Sequence, residues 1–229
     1  MGKNAEPSTP KFLPLSKKNA LMQTQTAAQI NPLAVLKPTK VARRYSLEEY
    51  LRREERSTER HEYYNGTIIR VPMAKGPHNL ISANTVIALG KAIETSGGDF
   101  LIFSNSQKVY LPTLNFGIYP DALVISESPK YWDTNEVLLI NPLLIVEVLS
   151  RSTRAYDKKE KFDEYQTLPS FREYVLIEQD KMQVETRFRV EPGLWRYTTY
   201  TDPSDQIVLK SIGCSITMSE VYRRVQLKD

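Results

Sequence analysis

The sequence is poor in cysteine, in histidine and in long apolar runs. A single cysteine, Cys214, in 229 residues rules out an intramolecular disulfide and fits a reducing compartment. With that one cysteine and two histidines, His61 and His78, there is no zinc-ligand spacing. No apolar stretch approaches the ~20 residues of a membrane span, and the first residues lack the apolar core of a secretory signal. Met1-Gly2 is followed by Glu6 where a myristoylation site wants Ser or Thr. Internal repeats are missing too. The expectation is a cytoplasmic protein with no membrane partner, long enough for one domain with a full core and a spare tail.

Acidic residues are almost absent from the first segment. Residues 1–44 carry eight Lys or Arg against Glu6 alone, a net +7. That leaves 23 basic and 26 acidic residues, net −3, for residues 45–229. The overall +4 therefore belongs to the tail, and bulk charge gives no reason for the rest to bind nucleic acid. Residues 1–44 read as a disordered basic tail with a short helix around Asn19–Ile30. A solvated leader, or a chain truly starting at Met22, is a plainer reading of it than a DNA-binding arm.

Order is expected from residue 45 onward. Ser46-Leu47-Glu48-Glu49 is a capping box opening a helix to about Arg56. Asn65-Gly66 between His61–Tyr64 and Thr67–Val71 marks a hairpin. Apolar spacing predicts a helix over His78–Thr95, ended by Gly97-Gly98. Strands are expected at Phe100–Ser104, Lys108–Leu111, Ile118–Ser126 and Leu143–Leu149. A helix over Asp157–Leu168 is stopped by Pro169. Strands follow at Arg172–Glu178, Gln183–Val190 and Leu194–Thr201, and a second capping box, Thr217-Met218-Ser219-Glu220, opens a short helix. The fold class is α/β, or mixed α+β, with a central mixed sheet flanked by helices.

What the sequence does contain is one charge in an unexpected place. Glu147 sits inside Leu143-Leu144-Ile145-Val146-Glu147-Val148-Leu149, a buried-strand pattern where an uncompensated carboxylate costs roughly several kcal/mol. Asp121 opens a second apolar run directly after Pro120. The plain reading of Asp121 alone is a turn cap. Two acids at matching places on neighbouring strands instead suit a hard divalent ion such as Mg²⁺. Asp157, Lys161 and Tyr165, four apart, share one helix face. A solvated salt-bridged face is the ordinary reading of such a run, but the Lys161 stem can follow the core and bring its ammonium to the acids. Arg151, Arg154, Lys158 and Lys159 add positive charge near the helix start, whose N-terminus adds more. Ser150, Ser152 and Thr153 are phosphate donors or helix caps. His78 is a phosphate contact or general base, with a capping or core role the plainer reading, and Glu62 is a third acid or an exposed strand residue.

Together, Glu62-Tyr63-Tyr64-Asn65-Gly66, His78, Tyr119-Pro120-Asp121, Val146-Glu147-Val148-Leu149-Ser150-Arg151-Ser152-Thr153, Asp157, Lys161, Tyr165 and Arg172-Glu173-Tyr174 form a pattern. It resembles the PD-(D/E)XK nuclease superfamily and, more closely, its Uma-type restriction-endonuclease family. The resemblance covers about residues 45–200. It implies a restriction-endonuclease-like core, Mg²⁺ with Mn²⁺ as a substitute, and cleavage of DNA. It assigns Asp121 and Glu147 as metal ligands and Glu62 as a helping acid. The superfamily lysine, two residues beyond the second acid, falls on Leu149, and Lys161 is its apparent replacement. Arg151 stands where the family commonly has proline, and Asn65 where it often has aspartate. The reading is a metal-dependent endodeoxyribonuclease with catalytic residues Asp121, Glu147, Lys161 and Glu62. Phosphate contacts fall to Arg151, Arg154, Lys158 and His78, and a homodimer is a candidate assembly. The alternative is a nuclease-fold protein that binds DNA or a protein partner without cutting.

Overall fold

The computed structural model describes residues 43–227; nearly all of the basic tail, with its expected helix at Asn19–Ile30, lies outside them. Helix α1 (Leu47–Glu54) starts at the expected capping box: the Glu49 amide donates to Ser46 Oγ and the Ser46 amide to the Glu49 carboxylate, each at 3.1 Å. Strands β1 (His61–Tyr64) and β2 (Thr67–Arg70) form the expected hairpin. Asn65 and Gly66 both take positive φ, +43° and +95°, as a two-residue turn matching strand twist demands. Helix α2 (Gly76–Ser96) begins two residues before the expected start, because Pro77 lacks an N–H the first turn could not have used. Gly97 closes it in the left-handed conformation.

Strands β3 (Leu101–Ser104), β4 (Lys108–Leu111), β5 (Phe116–Ile118), β6 (Ala122–Ile125), β7 (Leu138–Leu139) and β8 (Leu144–Leu149) follow. The sequence predicted one strand over Ile118–Ser126. The chain instead makes two, β5 and β6, in different sheets. Pro120 has no N–H to continue a ladder, and the Asp121 amide turns to the Val146 carbonyl at 3.1 Å. Tyr119-Pro120 is thus the bridge between sheets.

The expected helix over Asp157–Leu168 is also two pieces, α3 (Arg154–Lys158) and α4 (Glu160–Tyr165), broken at Lys159. At the break, Arg187 Nη1 donates to the Lys158 carbonyl at 2.6 Å, occupying an acceptor a continuous helix would have used. Strands β9 (Glu173–Glu178), β10 (Val184–Glu191) and β11 (Leu194–Tyr200) match expectation within a residue or two. A hairpin of β12 (Gln206–Leu209) and β13 (Cys214–Thr217) was not foreseen. Helix α5 (Met218–Val221) starts at the second capping box.

The single central sheet expected from the sequence resolves into a six-stranded mixed sheet, β11-β10-β9-β8-β6-β3, and a five-stranded sheet, β2-β1-β5-β4-β7. In the larger sheet only β8 and β9 run parallel. Strand β8 is buried on both faces, which is why it reads as a continuous apolar run. Val146 and Val148 join the α2 side of the core with Ile81, Ala88 and Leu89. Ile145 and Leu149 join the other side with Phe162, Tyr165 and the smaller sheet. Alternation places Glu147 on that second side. A one-residue slip of register would carry it into the aliphatic α2 side. No described helix is long and apolar enough to cross a membrane.

Candidate active site

Asp121 stands directly opposite Glu147. The β6–β8 ladder pairs Ala122 with Val146 and Leu123 with Ile145, so one further step sets the two acids across from each other. They share a face of the sheet because residues paired across a ladder point the same way. Asp121 Oδ2 accepts the Val148 amide at 2.7 Å and lies 3.4 Å from His78 Nε2, in the first turn of α2. The aspartate therefore does cap a backbone N–H where the ladder ends. Both contacts fall on Oδ2.

Glu147 is 4% exposed, inside a core strand. Lys161 Nζ lies 2.7 Å from Glu147 Oε1, and the Tyr165 hydroxyl donates to the same oxygen at 2.9 Å. Asp157 Oδ1 is 3.8 Å from the ammonium. The three residues spaced by four do converge, but across the break between α3 and α4 rather than along one helix.

Two carboxylates, Glu147 and Asp157, thus flank one ammonium, and the titration of these three groups reflects their burial together. Burial lifts the Glu147 carboxyl well above its ordinary value; Lys161 opposes, while Asp157 and Asp121 add to the lift. Burial likewise lifts Asp157, again against Lys161. For Lys161 burial favours the neutral amine, yet Glu147 and Asp157 outweigh it and hold the ammonium well above its usual range. Burial also works against the charged His78 ring, and the Asp121 carboxylate overcomes it, raising the imidazole. Burial thus drives the rise of the two acids, and neighbouring carboxylates drive the rise of Lys161 and His78.

Glu62 is half-buried on β1, where it accepts the Tyr119 amide at 3.1 Å and the Tyr64 hydroxyl at 2.7 Å. Its charge is felt by Lys161 and Asp157, which places it beside the cluster. Two groups escaped the sequence reading. Glu164 is 8% exposed and accepts the Tyr156 hydroxyl at 2.7 Å; burial lifts its carboxyl to about 7. Glu164 lies in a mixed-charge run, which conceals a buried acid. Lys108 has a fully buried ammonium 3.9 Å from Glu54 and over the rings of Tyr50 and Tyr119, and burial depresses it to about 8. No periodic signal marks it.

The proposed phosphate contacts divide. Arg154 and Lys158 both pair with Glu178, at 2.7 and 3.0 Å, and Arg154 reaches Asp180 at 3.4 Å. Their charges are already engaged in holding α3 to β9. Arg151 is exposed. Ser150 Oγ lies within 3.0 Å of both the Ser152 and Thr153 hydroxyls and accepts the Thr153 amide, so this group ties the turn before α3. At five residues α3 is too short for the dipole expected of a long helix.

The donor chemistry fits Mg²⁺. The contacts on each facing acid fall on one oxygen, Oδ2 of Asp121 and Oε1 of Glu147, and the cluster has negative charge to spare. Among the described residues no three His, Cys, Asp or Glu side chains make a ready ligand group. The protein's share of a coordination shell would be two carboxylates, in keeping with an ion that retains waters and takes substrate phosphate.

Several known proteins are similar to this chain. Two uncharacterized proteins of Synechocystis sp. are related. One is 37% identical over 150 residues, covering 66% of this chain and 84% of the relative. The other is 32% identical over 178 residues, covering 78% and 91%. A crystal structure described as a putative nuclease belonging to DUF820 from Anabaena variabilis shares the fold, with a TM-score of 0.62 and 17% identity over 80% of this chain and 99% of that one. Residues 47–219 match the model of the Uma2 family, described as putative restriction endonucleases, and the chain belongs to that family.

Proposed function

We propose that the protein is a metal-dependent endodeoxyribonuclease. The observation that carries this reading is the pairing of Asp121 with Glu147 across adjacent strands, with the Lys161 ammonium 2.7 Å from Glu147. Asp121 and Glu147 would hold Mg²⁺, or Mn²⁺ in its place. When bound, the ion supplies Lewis-acid polarisation of a phosphoryl oxygen and a lowered water pKa.

The chain's own groups do the rest. Tyr165 and Lys161 fix the Glu147 carboxylate from one side, and the Val148 amide and His78 fix Asp121. Lys161 is positioned to orient the attacking water or to offset charge on the phosphate as it develops. Glu62 flanks the cluster as a further acid. Arg151 is the exposed cation that meets the nucleic-acid backbone.

Plasmid DNA incubated with the purified protein and Mg²⁺ or Mn²⁺ should be nicked or cut, and EDTA should stop it. Asp121→Asn and Glu147→Gln should each lower cleavage by about 10²-fold or more with unchanged circular dichroism. Cleavage by both variants at the wild-type rate would remove the assigned site. DNA binding without cleavage by the wild type would favour the non-cutting reading of the same fold.

A further inference from the structure

Two acids beside the cluster are joined by two tyrosines. Tyr64 donates to Glu62 Oε2 at 2.7 Å. The Tyr156 hydroxyl lies 3.1 Å from the Tyr64 hydroxyl and 2.7 Å from Glu164 Oε2. The row Glu62–Tyr64–Tyr156–Glu164 therefore contains three oxygen–oxygen contacts. Three hydrogen bonds need three hydrogens, and two phenols carry only two. Within the row, only a carboxyl group can supply the third. With both acids ionised, Tyr156 could donate to Glu164 or to Tyr64, and one contact would set lone pair against lone pair. With Glu164 protonated, it donates to Tyr156, Tyr156 to Tyr64 and Tyr64 to Glu62, and every contact is satisfied.

We propose that Glu62, Tyr64, Tyr156 and Glu164 form a proton relay that stores one proton on Glu164 and delivers it through the two phenols to Glu62, which passes it to the oxygen leaving phosphorus. The proposal rests on the nuclease reading for the proton's destination. In the transfer Glu164 gives its proton to Tyr156, Tyr156 gives its own to Tyr64, and Tyr64 gives its own to Glu62. Each phenol loses one proton and gains one. Water adds to phosphorus and releases a proton to solvent, the bond from phosphorus to the leaving oxygen breaks, and that oxygen takes the proton from Glu62. Glu164 is then refilled from solvent.

The surroundings suit this direction of travel. Burial is the main cause that lifts the Glu164 carboxyl to about 7, with Glu62 and Glu160 adding, and Tyr156 and Lys161 opposing. The charged and titratable groups facing Glu164 are thus Tyr156 on α3, Glu160 and Lys161 on α4, and Glu62 and Tyr64 on β1. Those facing Glu62 are Tyr64 on its own strand, Tyr50 on α1, Lys108 on β4, Tyr119 after β5, Tyr156 and Asp157 on α3, and Lys161, Glu164 and Tyr165 on α4. Burial holds both phenols well above the ordinary tyrosine value, so neither rests as a phenolate and the hop is concerted. As Glu164 and Tyr156 act through Glu62, they are positioning residues in this scheme.

The test is a carbon-13 NMR titration of the Glu164 carboxyl in metal-free protein, with cleavage measured alongside. In the wild type the midpoint should lie near 7. Tyr64→Phe removes the acceptor that lets Tyr156 turn away from Glu164. Tyr156 then donates to Glu164 permanently, and the midpoint should fall by roughly 0.5–1 unit although Tyr64 does not touch Glu164. Tyr156→Phe removes that donor and should raise the midpoint. Glu164→Gln keeps three hydrogens in the row but cannot release one; turnover should drop about 10²-fold with KM little changed. An unmoved midpoint in Tyr64→Phe, a wild-type midpoint near 4.5, or wild-type turnover in Glu164→Gln each overturns the relay. A wild type that cuts no DNA sinks the proposed function and the proton's destination, while the opposite midpoint shifts still decide whether the row stores a proton.

Discussion

Replacing Lys161 by Met should be far more damaging than replacing Glu147 by Gln, although the two side chains form one ion pair. Both ends are buried, 7% and 5% exposed. Lys161→Met leaves Glu147, Asp157 and Asp121 together with no ammonium among them. Removing one partner of a buried pair costs ~3–5 kcal/mol, because the survivor is desolvated without a counter-charge and must stay charged at that cost or take up a proton. Glu147→Gln keeps an acceptor for Tyr165, leaves Lys161 the Asp157 carboxylate at 3.8 Å, and removes repulsion among the acids. It should stay within about 1 kcal/mol of wild type. The double variant should fall nearer the Glu147→Gln value than the sum of the singles, because they share one contact. Urea unfolding of the metal-free protein at pH 7 measures all three.

The acid dependence follows from the same charges. Burial holds the Glu147 carboxyl above its usual value of about 4.5, so the folded state takes up a proton that the unfolded chain has already released. Ionisation therefore penalises the fold as pH rises above about 4.5, and the penalty deepens once Lys161 is gone. The Lys161→Met cost should shrink as pH falls, because a protonated Glu147 no longer needs the ammonium. Equal costs for the two single variants, or a Lys161→Met cost under ~1 kcal/mol, would show that the cluster is not held together by its charge imbalance.

Glu164 should impose a similar slope. Its rise from 4.5 to about 7, 2.5 units, is worth at most ~3.4 kcal/mol, lost between those pH values as the folded state ionises. Glu164→Gln should therefore unfold at a higher temperature than wild type at pH 8, with the advantage gone near pH 4.5. Gly66→Ala meets a φ of +95° and would set its Cβ 3.3 Å from Arg44 Cβ, so it should cost about 1–3 kcal/mol in thermal unfolding and loosen the hairpin carrying Glu62. Arg151→Ala should lessen the slope of log DNA affinity against log salt by about one, whereas Arg154→Ala, which leaves Glu178 to Lys158 alone, should lower stability and leave that slope nearly unchanged.

What could be read from the sequence was what local chemistry decides. Ser46 with Glu49, Asn65-Gly66, Gly97 and Thr217 with Glu220 each define an element end with their neighbours alone, and each stands where expected. The change of sheet at Tyr119-Pro120 was hidden because β5 and β6 are each a few residues long and both apolar; which partner strand each joins is a non-local matter. The β12–β13 hairpin was missed for a related reason. In Gln206–Leu209 only Ile207 and Leu209 are buried, too short an alternation to rise above loop sequence. Among site residues, Glu147 was legible because a carboxylate in an apolar run is conspicuous. Glu164 was not, because on a charged helix burial of one acid leaves no trace in the pattern.

Lys161 shows how a sound spacing can rest on an incomplete reason. Positions 157, 161 and 165 suggested one helix face, yet Arg187 takes the Lys158 carbonyl and the helix breaks between the first and second of them. The convergence survives because Phe162 and Tyr165 anchor α4 against Phe171 and Tyr174 independently of α3. Position 149 could have offered a lysine from the strand itself, since it shares the face of Glu147 two residues away. Leu149 is instead fully buried among Phe162 and Tyr165, and an ammonium there would be deep in aliphatic and aromatic surroundings. Supplying the charge from α4 lets the strand stay apolar around its one acid and brings the ammonium in from the helix side. The arrangement places the cation between Glu147 and Asp157.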